Sequence, residues 1–382
     1  MLETMQNLFE EPLLRRAPND NEIEVTLLGR GSGECVILHL GSHRYVTIDS
    51  FINSHTKQPV ALDYLASMGV SPKEIVCVVV THWHKDHVLG IAQLACEVSN
   101  TTKFVLPAIT NDSYFTRFLK VEEYQLNKQS PSAEFSAALT TILNRKLPMC
   151  LASNDKTLLK FGEGESDCVS LCSLSPNDEQ LFRYLTYLKK LASDQACKPL
   201  YTFSDENSIS VALWLDFAKD KALLGGDLIA EGWAAIVRNR VGSGRASLYK
   251  VPHHGSITGH EDSVWTDMLI EKPISLMSVY NSSGLPRDDD KNRIMERSKR
   301  VLIAGGVARI EKRPNFFKKL ERCSRVVLKP LGANMGIIRA RKHLDASSDW
   351  NVEVFGAVED IPGRQESNNG CQEPEGTDGK RA

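Results

Sequence analysis

Short β-branched runs alternate with amphipathic stretches along this chain, the pattern of strands feeding helices in an α/β protein. Val25–Leu28, Cys35–Leu40 and Tyr45–Ile48 read as strands parted by turns. "ALDYLASMGVSPKEIVCVVV" reads as a helix stopped at Gly69, a turn at Pro72 and a fully buried strand. "IAQLACEV" then suits a helix and "KFVLP" a strand, while residues 110–165 mix apolar helical pieces with polar joints and are expected to form an insertion or a cap. "CVSLCSLSP" predicts a strand, followed by a helix over "NDEQLFRYLTYLKKLA" capped by Asn177 or Asp178. The helical spacing of Leu181, Tyr184, Leu185, Leu188 and Leu191 is that of a core-facing stripe. "SISVALWLDF", "KALLGGDL", "SLYKVPHHGS" and "PISLMSVYNS" supply further strands, and "GIIRARKHLDASSDWNVEVFG" a closing hairpin. No internal repeat of fixed short period is present. Residues 1–20 are expected to be a flexible leader, 21–360 the folded domain and 362–382 a disordered tail, because that tail has almost no apolar content.

Composition narrows the class. The 382 residues are 42% hydrophobic and 25% charged, as in a soluble globular protein large enough for a sizeable core. A formal net charge of −2 provides no global positive field for nucleic acid or anionic lipid, leaving only a local basic face for such a role. No apolar run approaches the ~20 residues that cross a bilayer, and the acidic, proline-interrupted start lacks a signal-peptide core, so no membrane association is expected. Nine scattered cysteines without a CxxC pair suggest reduced thiols and a cytoplasmic protein.

The chemistry concentrates in "VVVTHWHKDHVLG". Of ten histidines, five sit in two tight clusters: His82, His84 and His87, and the pair His253 and His254. Imidazole and carboxylate together suit Zn²⁺ or a similar divalent ion. On a loop behind a strand, His82 and His84 alternate and can face one way, while Asp86 and His87 turn towards a second point. One pair per ion, with ions roughly 3.5–4 Å apart, is the two-metal arrangement. A hydrogen-bonded polar loop without metal is the competing reading. The Gly29, Gly31, Gly33 series runs into another β-branched stretch rather than a helix, so it reads as a hairpin turn and not a phosphate loop. There is no GxSxG elbow, which sets a serine hydrolase aside.

At these residues the chain resembles the metallo-β-lactamase fold hydrolases. Asp49 in "YVTIDS" matches the early aspartate of their signature, His82, His84, Asp86 and His87 the HxHxDH element, Asp227 in "LLGGDL" the bridging aspartate, and His253 or His254 in "VPHHG" the last histidine. The blocks "NSISVALWLDFAKDKALLGGDL", "YKVPHHGS" and "MSVYNSSGLP" are similar to the hydrolase domain of ComEC-type competence proteins, over roughly residues 22–290. The resemblance implies a four-layer αββα sandwich with the site along one edge of two packed mixed sheets. It also implies two divalent ions, Zn²⁺ first and Mn²⁺ as the alternative, held by His82, His84, Asp86, His87, Asp227 and His254.

Two departures stand out. No histidine lies between His87 and His253, so the family's middle ligand is missing; Asn177, Asp178, Cys168 and Cys172 are the substitutes near the expected strand end. Leu285 stands before Pro286 where relatives often carry His. The roles implied are a hydroxide shared by two ions as nucleophile, Asp86 taking its proton, Asp49 orienting the metal loop, and His253 meeting the substrate. Ser256, Asn281 and Lys85 are candidate substrate contacts, although loop hydroxyls and amides bond their own backbone at least as often.

Three functions follow. The first is a metal-dependent hydrolase of a phosphodiester, nucleic acid included, with the basic tract from "KNRIMERSKR" to "RPNFFKKLERCSR" tracking phosphates. The second keeps the site and changes the substrate to a small ester, lactone, thioester, amide or phosphocholine-type molecule. The third is a degenerate scaffold or partner-binding module. No protein partner is specified by the sequence.

Overall fold

In a computed structural model of the chain, the residues described are 8–113, 115, 119, 130–164, 168–193, 206–218, 220–240, 242–306, 335–344 and 349–363. The tail beyond Gly363 and the basic stretch 307–334 lie outside them.

One sheet holds β1 (Glu22–Gly29), β2 (Glu34–Leu40), β3 (Tyr45–Ile48), β4 (Ile75–Val79), β5 (Lys103–Pro107) and β6 (Met149–Ala152). A second holds β7 (Lys156–Phe161), β8 (Val169–Ser173), β9 (Leu213–Phe217), β10 (Asp220–Leu224), β11 (Ala246–Lys250), β12 (Leu269–Ser278) and β13 (Arg300–Ala304). The chain then returns to the first sheet with β14 (Gly336–His343) and β15 (Asn351–Gly356), and to the second with β16 (Val358–Pro362). Their orders are β15-β14-β1-β2-β3-β4-β5-β6 and β16-β13-β12-β11-β10-β9-β8-β7. Each sheet joins antiparallel strands to four parallel neighbours, β3 to β6 in one and β10 to β13 in the other. The glycine-punctuated turn between β1 and β2 is a hairpin, pairing Gly29 with Glu34.

The helices are α1 (Val60–Ser67), α2 (Lys85–Val88), α3 (Ile91–Glu97), α4 (Pro131–Asn144), α5 (Asp178–Ser193), α6 (Ala230–Asn239) and α7 (Asp288–Met295). Three separate cores define the layers. Ile23, Val25 and Leu27 point inward with Leu213, Leu215, Leu276 and Leu302, sealing sheet against sheet. Tyr64, Ile91, Leu94, Phe135 and Tyr184 cover the outer face of the first sheet, and Trp233, Ile236 and Ile294 that of the second. This is the expected four-layer αββα sandwich. The strand periodicity explains it: on β1 alternate residues serve the inner core, while Glu24 and Thr26 face outward, where Tyr64 donates to Glu24 at 2.6 Å and Arg341 pairs with it at 2.7 Å.

Two regions illegible in sequence acquire a place. Within 110–165, α4 packs on α3, and β6 and β7 form one edge strand of each sheet. Over the described part of the leader, Leu14 is fully buried, and Arg339 donates to the carbonyls of Leu13 and Leu14 at 2.7 and 3.0 Å. At α5, Asn177 and Gln180 exchange two bonds of 2.8 Å, closing the helix start. Among the described residues no helix is long and apolar enough to cross a membrane.

Candidate metal centre

The "THWHKDH" segment leaves β4 in extended backbone and then tightens into the single turn of α2, with His87 and Val88 both donating to the His84 carbonyl at 3.0 Å. Extension sends the His82 and His84 rings to one side, 4.5 Å apart between centroids, and drives Trp83 into the core against Phe115, Phe135 and Tyr184. The helical turn then swings Asp86 and His87 inward, where both are buried, while Lys85 stays exposed.

Across the edge, Asp227 follows β10 and the histidine pair follows β11. Gly226, with φ of 52°, turns so tightly against Ser210 that an added Cβ would lie 2.8 Å from its Oγ; that hydroxyl in turn accepts the Asp227 amide at 3.0 Å. His253, His254 and Gly255 form a left-handed run (φ 50°, 52° and 82°), and Asp49 is left-handed as well (φ 58°). For residues with a Cβ this costs about 1–2 kcal/mol each. Such strain persists where the surroundings impose it, commonly at a functional site.

The donor atoms gather into three overlapping groups, Asp49, His82 and His87 forming one of them. Those of Asp86, His87, Asp227 and His254 lie within 4.8 Å of one another, as do those of His82, His84 and Asp227, so that Asp227 is common to both. His87 Nε2 stands 3.4 Å from Asp86 and 3.4 Å from Asp227, and His254 Nε2 stands 3.1 Å from Asp86 and 3.7 Å from Asp227. Two donors about 2.0–2.1 Å from one tetrahedral ion are separated by about 3.4 Å. His82 Nε2, His87 Nε2 and Asp227 Oδ1 are buried with no hydrogen-bond partner. Such orphans cost about 1–3 kcal/mol apiece, so the donor set fits a pair of divalent cations.

Electrostatics agree. Burial alone would raise the carboxyls of Asp86 and Asp227, but His87 and His254 beside them hold both well below the ordinary range. Burial drives His82 well down, keeping it neutral and able to ligate. Against its burial, Asp227, Asp86 and Asp49 push His87 well up.

Asp49 reaches this cluster from behind. Its Oδ1 accepts the Thr81 amide at 2.7 Å, and its Oδ2 accepts the Thr81 hydroxyl at 2.6 Å and His87 Nδ1 at 2.7 Å. Its oxygens are thereby engaged, and His87 is turned so that Nε2 faces the donors. His253 stands outside all three groups: Nδ1 meets Thr258 Oγ1 at 2.8 Å and Nε2 meets Asn207 at 3.2 Å. Ser256 spends its hydroxyl on the Thr258 amide at 3.3 Å. The Asn281 amide bonds Gly31 at 2.6 Å, leaving its Oδ1 buried and unpartnered.

The substitutes proposed for the missing histidine do not enter the cluster. Asn177 caps α5, Asp178 is exposed, Cys172 contacts Thr157 at the sheet edge, and Cys168 sits at the start of β8, the opposite end from its site-facing terminus. Instead Glu206 lies 3.4 Å from His84 Nε2. A second buried network escaped the sequence reading: Lys250 pairs with Glu34 and donates to the Gly226 carbonyl at 2.9 Å, while Ser278 links Glu34 to His254. Its advance signals were a lysine closing the strand directly before "VPHHG" and Glu34 at the head of a β-branched run.

No curated protein matches the chain. Residues 28–102 match the family model of the metallo-beta-lactamase superfamily. Solved structures similar to it include the metallo-beta-lactamase fold protein YhfI from Bacillus subtilis, at 11% identity over 60% of this chain and 70% of that one, TM-score 0.31. The short form of human tRNase Z is 14% identical over 59% and 76%, TM-score 0.30. The diiron β-hydroxylase CmlA from Streptomyces venezuelae is 12% identical over 62% and 35%, TM-score 0.32. At these scores the likenesses do not bear on substrate. The two eight-stranded sheets with helices outside them, and the family model spanning β2 to β4 and the HxHxDH turn, give this chain the metallo-β-lactamase fold.

Proposed function

We propose that the protein is a binuclear metal-dependent hydrolase of phosphodiesters. The observation that carries this reading is Asp227, one buried carboxylate common to two adjacent donor groups. A pair of divalent cations there, Zn²⁺ by donor chemistry or Mn²⁺ as the alternative, would acidify water and neutralise charge on phosphoryl oxygens. His82, His84 and Asp227 would hold one cation, and Asp86, His87, Asp227 and His254 the other.

The protein side of the reaction follows from placement. Asp86 is ionised, and with Oδ2 among the donors its Oδ1 is the oxygen left to take up a proton. Asp49 positions His87 through Nδ1. Burial keeps His253 neutral, and its ring can approach a substrate oxygen by giving up Asn207 or Thr258. Exposed Lys85, between His84 and Asp86, supplies a mobile cation for a non-bridging phosphate oxygen. The later sequence blocks support kinship with the ComEC-type hydrolase domains, and the unpaired thiols of Cys35, Cys77 and Cys96 support a reducing, cytoplasmic setting.

The test is hydrolysis by metal-loaded protein of bis(p-nitrophenyl) phosphate and of single- and double-stranded nucleic acid, beside p-nitrophenyl acetate and a simple lactone. Diester cleavage abolished by chelator and restored by Zn²⁺ or Mn²⁺ is expected. Cleavage of the acetate or lactone alone moves the substrate to the carboxyl class, and metal binding without any turnover leaves a scaffold. Affinity falling steeply with salt would mark a polyanionic substrate.

A further inference from the structure

Given the binuclear reading, one group is short of donors: Asp86, His87, Asp227 and His254 make four, whereas His82, His84 and Asp227 make three. We propose that Glu206 is the fourth donor of the His82–His84 centre, replacing the histidine that this chain lacks between His87 and His253.

Glu206 Oε2 lies 3.4 Å from His84 Nε2, the same spacing that His87 Nε2 keeps from Asp86 and from Asp227 in the neighbouring group. It matches one edge of about 3.4 Å between two donors of a tetrahedral ion; Glu206 stands outside the close group of His82, His84 and Asp227, so its side chain would swing towards them to complete the four. The Glu206 side chain is 14% exposed and His84 18%, so the pair is largely withdrawn from water. An isolated His–Glu ion pair would account for that contact alone. It would not account for His82 Nε2 and Asp227 Oδ1, buried without a hydrogen bond in the same donor group as His84, the Lys250 ammonium coming no nearer than 3.9 Å to that oxygen.

The backbone around Glu206 is anchored to both metal-bearing loops. Glu206–Ile209 is one turn of 3₁₀ helix. Just beyond it, Val211 donates to the Thr81 carbonyl at 3.1 Å, one residue before His82. Ser210 Oγ accepts the Asp227 amide at 3.0 Å. Gln180 Nε2 fixes the Ser208 carbonyl at 2.5 Å, tying the turn to α5. A short tether therefore joins Glu206 to the loops of His82 and Asp227. The rival donor is Asn207, whose Oδ1 is buried and unpartnered; a neutral carboxamide is the weaker ligand for Zn²⁺, and its Nδ2 already contacts His253.

The experiment compares wild type with Glu206→Gln, Glu206→Ala, Glu206→His and Asn207→Ala after loading with Co²⁺ and with Zn²⁺. Metal is counted by plasma mass spectrometry, affinity is read by chelator competition, and the Co²⁺ d–d spectrum reports the donors. Two ions per chain are expected in wild type and Asn207→Ala. Glu206→Gln and Glu206→Ala should lose the weaker ion, its affinity falling at least about tenfold. Glu206→His should keep both ions with a shifted cobalt band. Thermal unfolding in excess chelator checks that each variant is folded. Two ions of unchanged affinity in Glu206→Ala would overturn the proposal alone, as would loss of an ion in Asn207→Ala but not in the Glu206 variants. Failure of loaded wild type to bind any ion would instead overturn the binuclear reading, and the proposal with it.

Discussion

The two halves of the candidate metal centre are built to different standards. The Asp86–His87–Asp227–His254 half draws four buried donors from three loops, and its histidines are braced: His87 by Asp49, His254 by Ser278. In the His82–His84 half, His82 is buried and braced by Thr81 at 2.9 Å, but His84 and Glu206 reach partly into solvent. A closed centre excludes exchange and holds its ion, whereas an open one leaves coordination room for incoming groups. On the proposed reading the first half would anchor its ion and the second would meet the substrate, where Lys85 stands exposed beside His84.

The largest disruption of this contrast is removal of the carboxylate that both halves share. Asp227→Ala should reduce metal content from about two ions per chain to below about one, and diester hydrolysis by about 10³-fold or more. Plasma mass spectrometry and single-turnover cleavage on the same preparations check this. Loss of one ion with the other held at wild-type affinity would show that Asp227 serves only one half.

Single-half variants separate the two. His84→Ala should leave the braced ion in place, with about one ion per chain, while His254→Ala should weaken that braced ion. A chelator titration of wild type should release metal in two steps, the second requiring at least about tenfold more chelator, as expected when outer hydrogen bonds brace one set of ligands better. Coincident release would erase the distinction.

The legibility of the site divides along the same line. His82, His84, Asp86 and His87 stand out because four donors follow one strand end, and adjacency in sequence became adjacency in space. Asp227 and the His253/His254 pair were legible through the family resemblance, since nothing local ties "LLGGDL" to "THWHKDH". Glu206 was not legible: it precedes a buried run without a motif, and its role depends on the Val211–Thr81 and Ser210–Asp227 bonds. Strands and helices were legible from periodicity, and their four-layer arrangement through the family resemblance. The place of residues 110–165 was not, because short edge strands such as β6 and β7 carry half-exposed patterns that resemble loop.

The finest test acts on one proton. Ser278 Oγ lies 2.5 Å from Glu34 Oε2 and 2.9 Å from His254 Nδ1. Glu34 also pairs with Lys250, whose ammonium is kept charged against its burial by Glu34 and Asp227, so Glu34 is an acceptor there. The Ser278 hydroxyl therefore donates to Glu34 and must accept from His254 Nδ1–H, so that Nε2 is the nitrogen that faces Asp86 and Asp227 and that, once deprotonated, can ligate. Ser278→Ala removes that acceptor and leaves a buried N–H unpaired, a cost of about 1–3 kcal/mol. The closed-half ion should bind about tenfold to a hundredfold more weakly, with the His82–His84 ion unaffected. Chelator competition on this variant should bring the two release steps together, whereas equal weakening of both ions would mean that His254 orientation governs the whole centre.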